Sequence, residues 1–113
     1  MNLEKAIELV KKWIEEKRES FVTSSVKTEV IKDFPRIFEF SMDYNDCLAQ
    51  IIVGDGMYTP YRFIAFEIVA FVDGGVKYIF TWYDKENDES ADIIENLDKG
   101  LNFLIQQQEQ NNE

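Results

Sequence analysis

The clearest pattern along the chain is a pair of apolar, aromatic runs at residues 61–72 and 76–83, separated by the segment DGG. Runs rich in Phe, Ile and Val on either side of a glycine turn predict a long antiparallel β-hairpin. A three-residue loop is favoured because it gives the hairpin one apolar side. In this register the predicted pairs are Val72 with Val76, Ala70 with Tyr78, Ile68 with Phe80, and Phe66 with Trp82. The side chains of that side are Ile64, Phe66, Ile68, Ala70, Val72, Val76, Tyr78, Phe80 and Trp82.

Three shorter strands are predicted before the hairpin. Residues 23–32 alternate polar and apolar, residues 36–44 do the same, and residues 47–53 are apolar at nearly every position. Strict alternation predicts strands with one solvated side, and a continuous apolar run predicts a central strand. Taken together, the alternation predicts that even-numbered side chains from Phe38 to Trp82 point inward and odd-numbered ones outward.

Helical periodicity is confined to the two ends of the chain. Near the N-terminus, apolar residues recur at three- and four-residue intervals, and this helix is expected to end near Glu19 or Ser20. A second helix is predicted from about Ser90, with Gly100 allowing it to approach the sheet closely, and the tail 106–113 is expected to fray. The two apolar stripes consist of Leu3, Ala6, Ile7, Val10, Trp13 and Ile14, and of Ile93, Ile94, Leu97, Leu101, Leu104 and Ile105.

The order of these elements, one helix, five strands and one helix, predicts an α+β fold. Two helices flanking a meander can both pack on one face of an antiparallel sheet, which gives a two-layer sandwich. Because the chain has 113 residues, of which 45% are hydrophobic, residues 1–113 are expected to form a single domain.

Composition points to an intracellular protein. The lone cysteine, Cys47, cannot form an internal disulfide, which favours a reducing compartment. The N-terminal segment has charges every few residues, and no run approaches the roughly 20 apolar residues of a membrane span. A cytoplasmic location is therefore expected.

The net charge of −10 is concentrated near the C-terminus. Residues 84–113 hold two basic and nine acidic residues, a net of −7. Such a field repels nucleic acid and anionic membranes and attracts a basic protein. Neither nucleic acid nor membrane is an expected partner.

Several chemistries are excluded or unsupported by the sequence. The chain has no histidine, so Ser-His and Cys-His pairs and histidine metal sites are impossible. Acidic residues from Asp84 to Glu95 match the ligand spacing of a calcium loop, but its obligatory glycine position holds Glu89. Acidic residues are favoured at the N-terminal end of a helix by the helix dipole, and this explains the segment better than a calcium site does. No cofactor and no metal site is predicted.

The sheet face opposite the helices is the predicted binding surface. It would expose odd-numbered apolar side chains, and large exposed apolar patches mark interfaces. Glu67 is the only charge between Arg62 and Asp73, and Thr81 is expected opposite it. The residues assigned to partner binding are Ile37, Ile51, Phe63, Glu67, Val69, Phe71, Ile79, Tyr83, Asp84, Glu86 and Asp88.

These features together favour a non-enzymatic, acidic protein-binding module of the inhibitor or immunity type or of the chaperone type. Two alternatives stay open. One is a small-ligand-binding domain or enzyme that uses the sheet face around Glu67, since a carboxylate among apolar residues can act as a general acid. The other is a structural homodimer whose sheets pack face to face.

Overall fold

The computed structural model of the chain describes residues 1–55 and 63–111, with side chains to residue 107. It confirms the predicted α+β fold with a five-stranded antiparallel meander and a helix at each end. The helices are α1 (Leu3–Glu16), α2 (Arg18–Thr23) and α3 (Ser90–Asn111). The strands are β1 (Lys27–Phe34), β2 (Ile37–Tyr44), β3 (Cys47–Gly54), β4 (Ile64–Val72) and β5 (Gly75–Tyr83).

The N-terminal helix forms as its apolar stripe predicts. Asn2 caps it, because the Asn2 side chain accepts a hydrogen bond of 2.8 Å from the Lys5 backbone N–H. All six residues of the predicted stripe are buried. The helix ends earlier than predicted, at Glu16, and a short second helix, α2, follows. In α2, Phe21 packs edge-on against Trp13, with ring centroids 6.2 Å apart.

The turn between β2 and β3 changes which side chains point inward, from even-numbered residues in β2 to odd-numbered residues in β3. Tyr44 pairs with Cys47 across a two-residue loop, in which Asn45 adopts a φ of 53°. Asn tolerates this left-handed conformation better than most residues. In β3 the inward side chains are therefore odd-numbered, and Ile51 is fully buried. The prediction that Ile51 lies on the helix-free face is wrong.

The β4–β5 hairpin has a shorter loop than predicted. Val72 pairs with Gly75, so the loop is Asp73 and Gly74, and Gly74 adopts a φ of 90°, which glycine tolerates because it has no Cβ. Nearer the middle of the hairpin, a bulge inserts Ile79 between the paired residues. The predicted pairs Ile68–Phe80 and Phe66–Trp82 are confirmed beyond the bulge. The predicted pairings of Val72 with Val76 and of Ala70 with Tyr78 are wrong, because Val72 pairs with Gly75 and Ala70 pairs with Lys77.

Helices α1 and α3 pack on the strands from β3 to β5, whereas β1 at the other edge of the sheet is exposed. α1 packs on β3, and α3 packs on β3, β4 and β5. Gly100 allows the close approach predicted for it, because a Cβ there would lie 2.6 Å from Cζ of Phe66. Every residue of β1 is exposed. α3 continues to Asn111, past Gln106, where fraying is predicted to begin; residues 112 and 113 lie outside the described residues.

Of the three helices, none combines the length and the apolar character that crossing a membrane requires; this holds for residues 1–55 and 63–111. The strand predicted from residue 61 begins at Ile64, and residues 61 and 62 belong to the segment that is not described.

Candidate functional site

The outer face, meaning the sheet face away from the helices, is ordered in rows by the strand pairing. A polar row crosses its centre, and an apolar cluster lies between this row and the β4–β5 turn. The central row consists of Glu29, Ser41, Gln50, Glu67 and Thr81. The next row toward the β4–β5 turn consists of Lys27, Asp43, Leu48, Val69 and Tyr78, and beyond it Phe71 pairs with Val76.

An apolar cluster covers the outer face at the end of the hairpin; we call it the hairpin-tip patch. Its members are Leu48, Val69, Phe71, Val76 and Tyr78. Phe71 and Val76 are each 55% exposed and Tyr78 is 61% exposed, whereas Leu48 and Val69 are half-buried. The tip is open because β4 pairs with β3 only as far as Ala70. The last two residues of β4, Phe71 and Val72, lie beyond the end of β3.

The sequence pattern predicts two members of this patch, Val69 and Phe71, and not the other three. Leu48 is not predicted because, after the two-residue β2–β3 turn, even-numbered side chains of β3 point outward instead of inward. Val76 and Tyr78 are predicted on the inner side because the predicted hairpin loop has three residues, one more than the loop in the structure. A one-residue shift in register moves every affected side chain to the opposite face. The dipeptide Asp73-Gly74 is a strong two-residue hairpin signal and could have given the correct register.

Other predicted apolar site residues lie elsewhere. Ile37 is half-buried and faces outward at the opposite end of the sheet from the patch. Phe63 is buried and belongs to the hydrophobic core, and Ile79 in the bulge is half-buried and packs against that core. The prediction that Phe63 and Ile79 form part of an exposed face is therefore wrong.

Glu67 lies in the central polar row and is tethered there. The Tyr83 hydroxyl donates a hydrogen bond of 2.5 Å to Glu67 Oε2. Thr81 lies opposite Glu67 on β5, as predicted, and Gln50 lies opposite it on β3. This arrangement gives a hydrogen-bonded, half-buried carboxylate on an open sheet face.

The acidic segment, meaning residues 84–92 after β5, contains both buried and exposed carboxylates. Asp84 is only 3% exposed, and its Oδ1 accepts hydrogen bonds of 2.8 Å from the backbone N–H groups of Phe63 and Ile64. It fixes the start of β4 against the end of β5. The prediction that Asp84 offers its carboxylate to a partner at the surface is therefore wrong, whereas Glu86 is exposed.

The remaining acidic side chains of this segment order the start of α3. Asp88 is half-buried, and its Oδ2 accepts a hydrogen bond of 2.8 Å from the Lys85 backbone N–H. Asp92 Oδ2 accepts one of 2.9 Å from the Glu89 backbone N–H, as in a helix-capping box. Within residues 1–55 and 63–111, no group of three or more acidic or cysteine side chains is placed to hold a metal ion.

The grooves formed by the described residues include two on the helical side of the molecule. The larger, of about 520 Å³, runs between the end of α1, α2 and α3, and its rim includes Glu16, Glu19 and Asp98. The smaller, of about 230 Å³, lies between α1 and β1, beside the Lys11–Asp33 ion pair of 2.7 Å. Neither groove is lined by Glu67.

The single thiol has the environment of a packing residue. Cys47 is buried, and burial, followed by the nearby charge of Asp46, raises the pKa of the Cys47 thiol above its ordinary value. A higher pKa lowers the fraction of reactive thiolate.

Compared with Glu67, the acidic segment, the two grooves and Cys47, the hairpin-tip patch is the strongest candidate site in the described part of the chain.

Comparison with known proteins adds no functional information. No protein-family model matches the chain, and no curated protein or solved structure shows a significant match to it.

Proposed function

We propose that this protein is a non-enzymatic binding module that docks a protein partner through the hairpin-tip patch. The observation that carries the proposal is the exposure of Phe71, Val76 and Tyr78 side by side on a projecting hairpin. Each would be stabilised by transfer from water to a partner's surface, at about 25 cal/mol per Å² of apolar area buried.

The make-up of the patch supports a protein as the partner. Aromatic residues are enriched at protein interfaces, where they provide a large contact area. Phe71 and Tyr78 contribute two rings, and the half-buried Leu48 and Val69 extend the apolar surface onto the sheet. A flat apolar surface of this kind fits another protein better than it fits a small molecule, which is generally bound in a concave pocket.

The charge distribution supports a basic partner. The chain carries a net charge of −10, to which residues 84–113 contribute −7. A strongly acidic surface increases the rate of encounter with a basic protein and disfavours nucleic acid. Among binding modules, an inhibitor or immunity-type protein or a chaperone-type protein fits this combination. A cytoplasmic setting is part of the proposal, because Cys47 is unpaired.

Site-specific photo-crosslinking in cells tests the proposal. A photoreactive phenylalanine analogue at Phe71 is expected to crosslink one discrete protein partner. The matched control is the same analogue at Phe34, which is 60% exposed but lies on β1, at the far edge of the sheet. Labelling that is absent at Phe71, or equal at both positions, would contradict the proposal.

The crosslink is expected to depend on the apolar surface beside the probe. Tyr78→Ser with the analogue at Phe71 should reduce the yield several-fold, because hot-spot aromatics dominate interface energies. Val22→Ser, at an exposed apolar position on α2, should leave the yield unchanged.

A further inference from the structure

The outer edge of β5 joins the two features on which the proposed function rests. β5 pairs with β4 on one side and is the last strand of the described sheet. The hairpin-tip patch lies at its N-terminal end, and the acidic segment follows its C-terminal end. Nine residues span about 26 Å at the rise of an extended strand. The shortest path between the two features therefore runs along β5.

The two edges of the sheet differ in how they are protected. β1 carries four charged residues, and α2 packs beside it, whereas a bulge occurs in both edge strands. Charges on an edge strand discourage the addition of another strand. The charged residues of β1 are Lys27, Glu29, Lys32 and Asp33. In β5, Lys77 alone is charged, and residues 78–83 carry no charge.

The bulge at Ile79 divides the β5 edge into two short ladders, at residues 75–78 and 80–83. An added strand would pair with both and would run from the hairpin-tip patch to the acidic segment. Backbone pairing at an exposed sheet edge is a common way of binding an extended peptide. Alternate side chains of the added strand would then lie on the outer face, next to the patch.

Charge decides between a second copy of this chain and a different protein. A two-fold pairing of β5 with itself would bring the acidic segment of one copy to the turn of the other, which carries Asp73. Each copy also brings a net charge of −10. Lys77 is too little positive charge to offset this repulsion. A segment with Lys or Arg at one end complements Glu86, Glu89 and Asp92, which are exposed.

We infer that β5 accepts an extended segment of a basic protein partner as a sixth strand. Apolar side chains of the segment lie against the hairpin-tip patch, and its Lys or Arg residues lie against the acidic segment. This inference rests on the proposed function and specifies how the partner binds.

The test uses synthetic peptides with the full chain. Each peptide has alternating Val and Thr residues and a Lys-Arg pair, placed at the N-terminus in one and at the C-terminus in the other. A third peptide of the same composition carries N-methylated backbone nitrogens, which cannot form a ladder. One of the two unmodified peptides is expected to bind and to slow hydrogen exchange at the β5 amides, while the N-methylated peptide does not.

Two pairs of variants locate the binding site. Glu86→Lys with Glu89→Lys is expected to weaken binding at least tenfold, whereas Glu4→Lys with Glu8→Lys on α1 gives the same net charge and should have little effect. Thr81→Lys places a charge on β5 and should weaken binding, whereas the matched Thr28→Lys on β1 should not.

Three results would overturn the inference. One is no binding of either unmodified peptide at about 1 mM. The second is binding that protects the patch residues but no β5 amide beyond them. The third is concentration-dependent protection of β5 without peptide, which would make a second copy the occupant. The first two results leave the proposed function standing if crosslinking at Phe71 succeeds, so the two failures can be told apart.

Discussion

Asp84 shows how one carboxylate holds together two distant parts of the chain. Its side chain accepts hydrogen bonds from Phe63 N and Ile64 N, and its own backbone N–H donates to the Ile64 carbonyl at 3.2 Å. The sequence pattern predicts that Asp84, like its acidic neighbours, is a surface residue. Hydropathy cannot identify a carboxylate whose burial is compensated by backbone donors twenty positions away.

Removing the Asp84 carboxylate should destabilise the fold. Asp84→Ala leaves two buried backbone N–H groups without this acceptor, which costs about 1–3 kcal/mol in the free energy of unfolding. Asp84→Asn keeps one acceptor oxygen and should cost less. Urea denaturation followed by tryptophan fluorescence measures both.

The control for this prediction is Asp43→Ala, which removes an exposed carboxylate on β2. Such a surface change should alter stability by no more than about 0.5 kcal/mol. Equal effects of the Asp84 and Asp43 variants would show that the backbone hydrogen bonds of Asp84 contribute little.

At the scale of elements, α1 and α3 are joined by a polar contact at the border of the core. Trp13 Nε1 donates a hydrogen bond of 2.9 Å to Asp98 Oδ1, and Lys17 Nζ lies 3.0 Å from the same oxygen. Partial burial acts to raise the pKa of Asp98, but the hydrogen bonds from Trp13 and Lys17 and the Lys17 charge outweigh it. The Asp98 pKa is therefore lowered.

A lowered pKa makes the contribution of Asp98 depend on pH. The stabilisation is present above the ordinary aspartate pKa of about 3.9 and is lost as the pH falls through the lower folded-state value. Asp98→Asn should reduce stability by about 0.5 kcal/mol at neutral pH, because the Lys17 pair is partly exposed. The difference from the unmodified chain should shrink as the pH falls below about 3.9.

Urea midpoints measured between about pH 7 and pH 3 test this expectation. Glu95→Gln, which removes the exposed pair with Lys99 on α3, is the matched control and should show little difference at any pH. A destabilisation by Asp98→Asn that is constant across the pH range would show that the Asp98 charge is unimportant.

The sequence predicted whole elements better than it predicted the connections between them. The apolar stripes of α1 and α3 and the order of the five strands follow from periodicity, since burial of one face imposes a fixed repeat. Which face a strand buries depends on loop lengths and bulges, and these differ by single residues. The loops at Asn45 and Gly74 and the bulge at Ile79 therefore decided which residues form the candidate site.

At the scale of the whole molecule, the acidic charge and the apolar patch lie at opposite ends of the same hairpin. The helical N-terminal part, residues 1–24, is neutral, with five basic and five acidic residues. The excess negative charge therefore falls mainly on the acidic segment and α3. This separation gives the molecule an acidic region that would attract the proposed basic partner and a distinct apolar region that would contact it.

The charge should also keep the free protein monomeric. Sedimentation velocity at roughly 50 µM in 0.15 M salt is expected to give the mass of a single chain, 13.3 kDa, because like-charged copies repel. A dimer that persists in high salt and is disrupted by Phe71→Ser, but not by Phe34→Ser, would instead favour the homodimer alternative.

The sparse protection of β5 has a consequence for the unbound protein. A nearly uncharged strand at a sheet edge can template fibre growth when copies come close together. Electrostatic repulsion then acts as the barrier to polymerisation, and it weakens near the sequence isoelectric point of about 4.4. The acidic character of the chain should therefore oppose fibril formation as well as favour the basic partner that we propose.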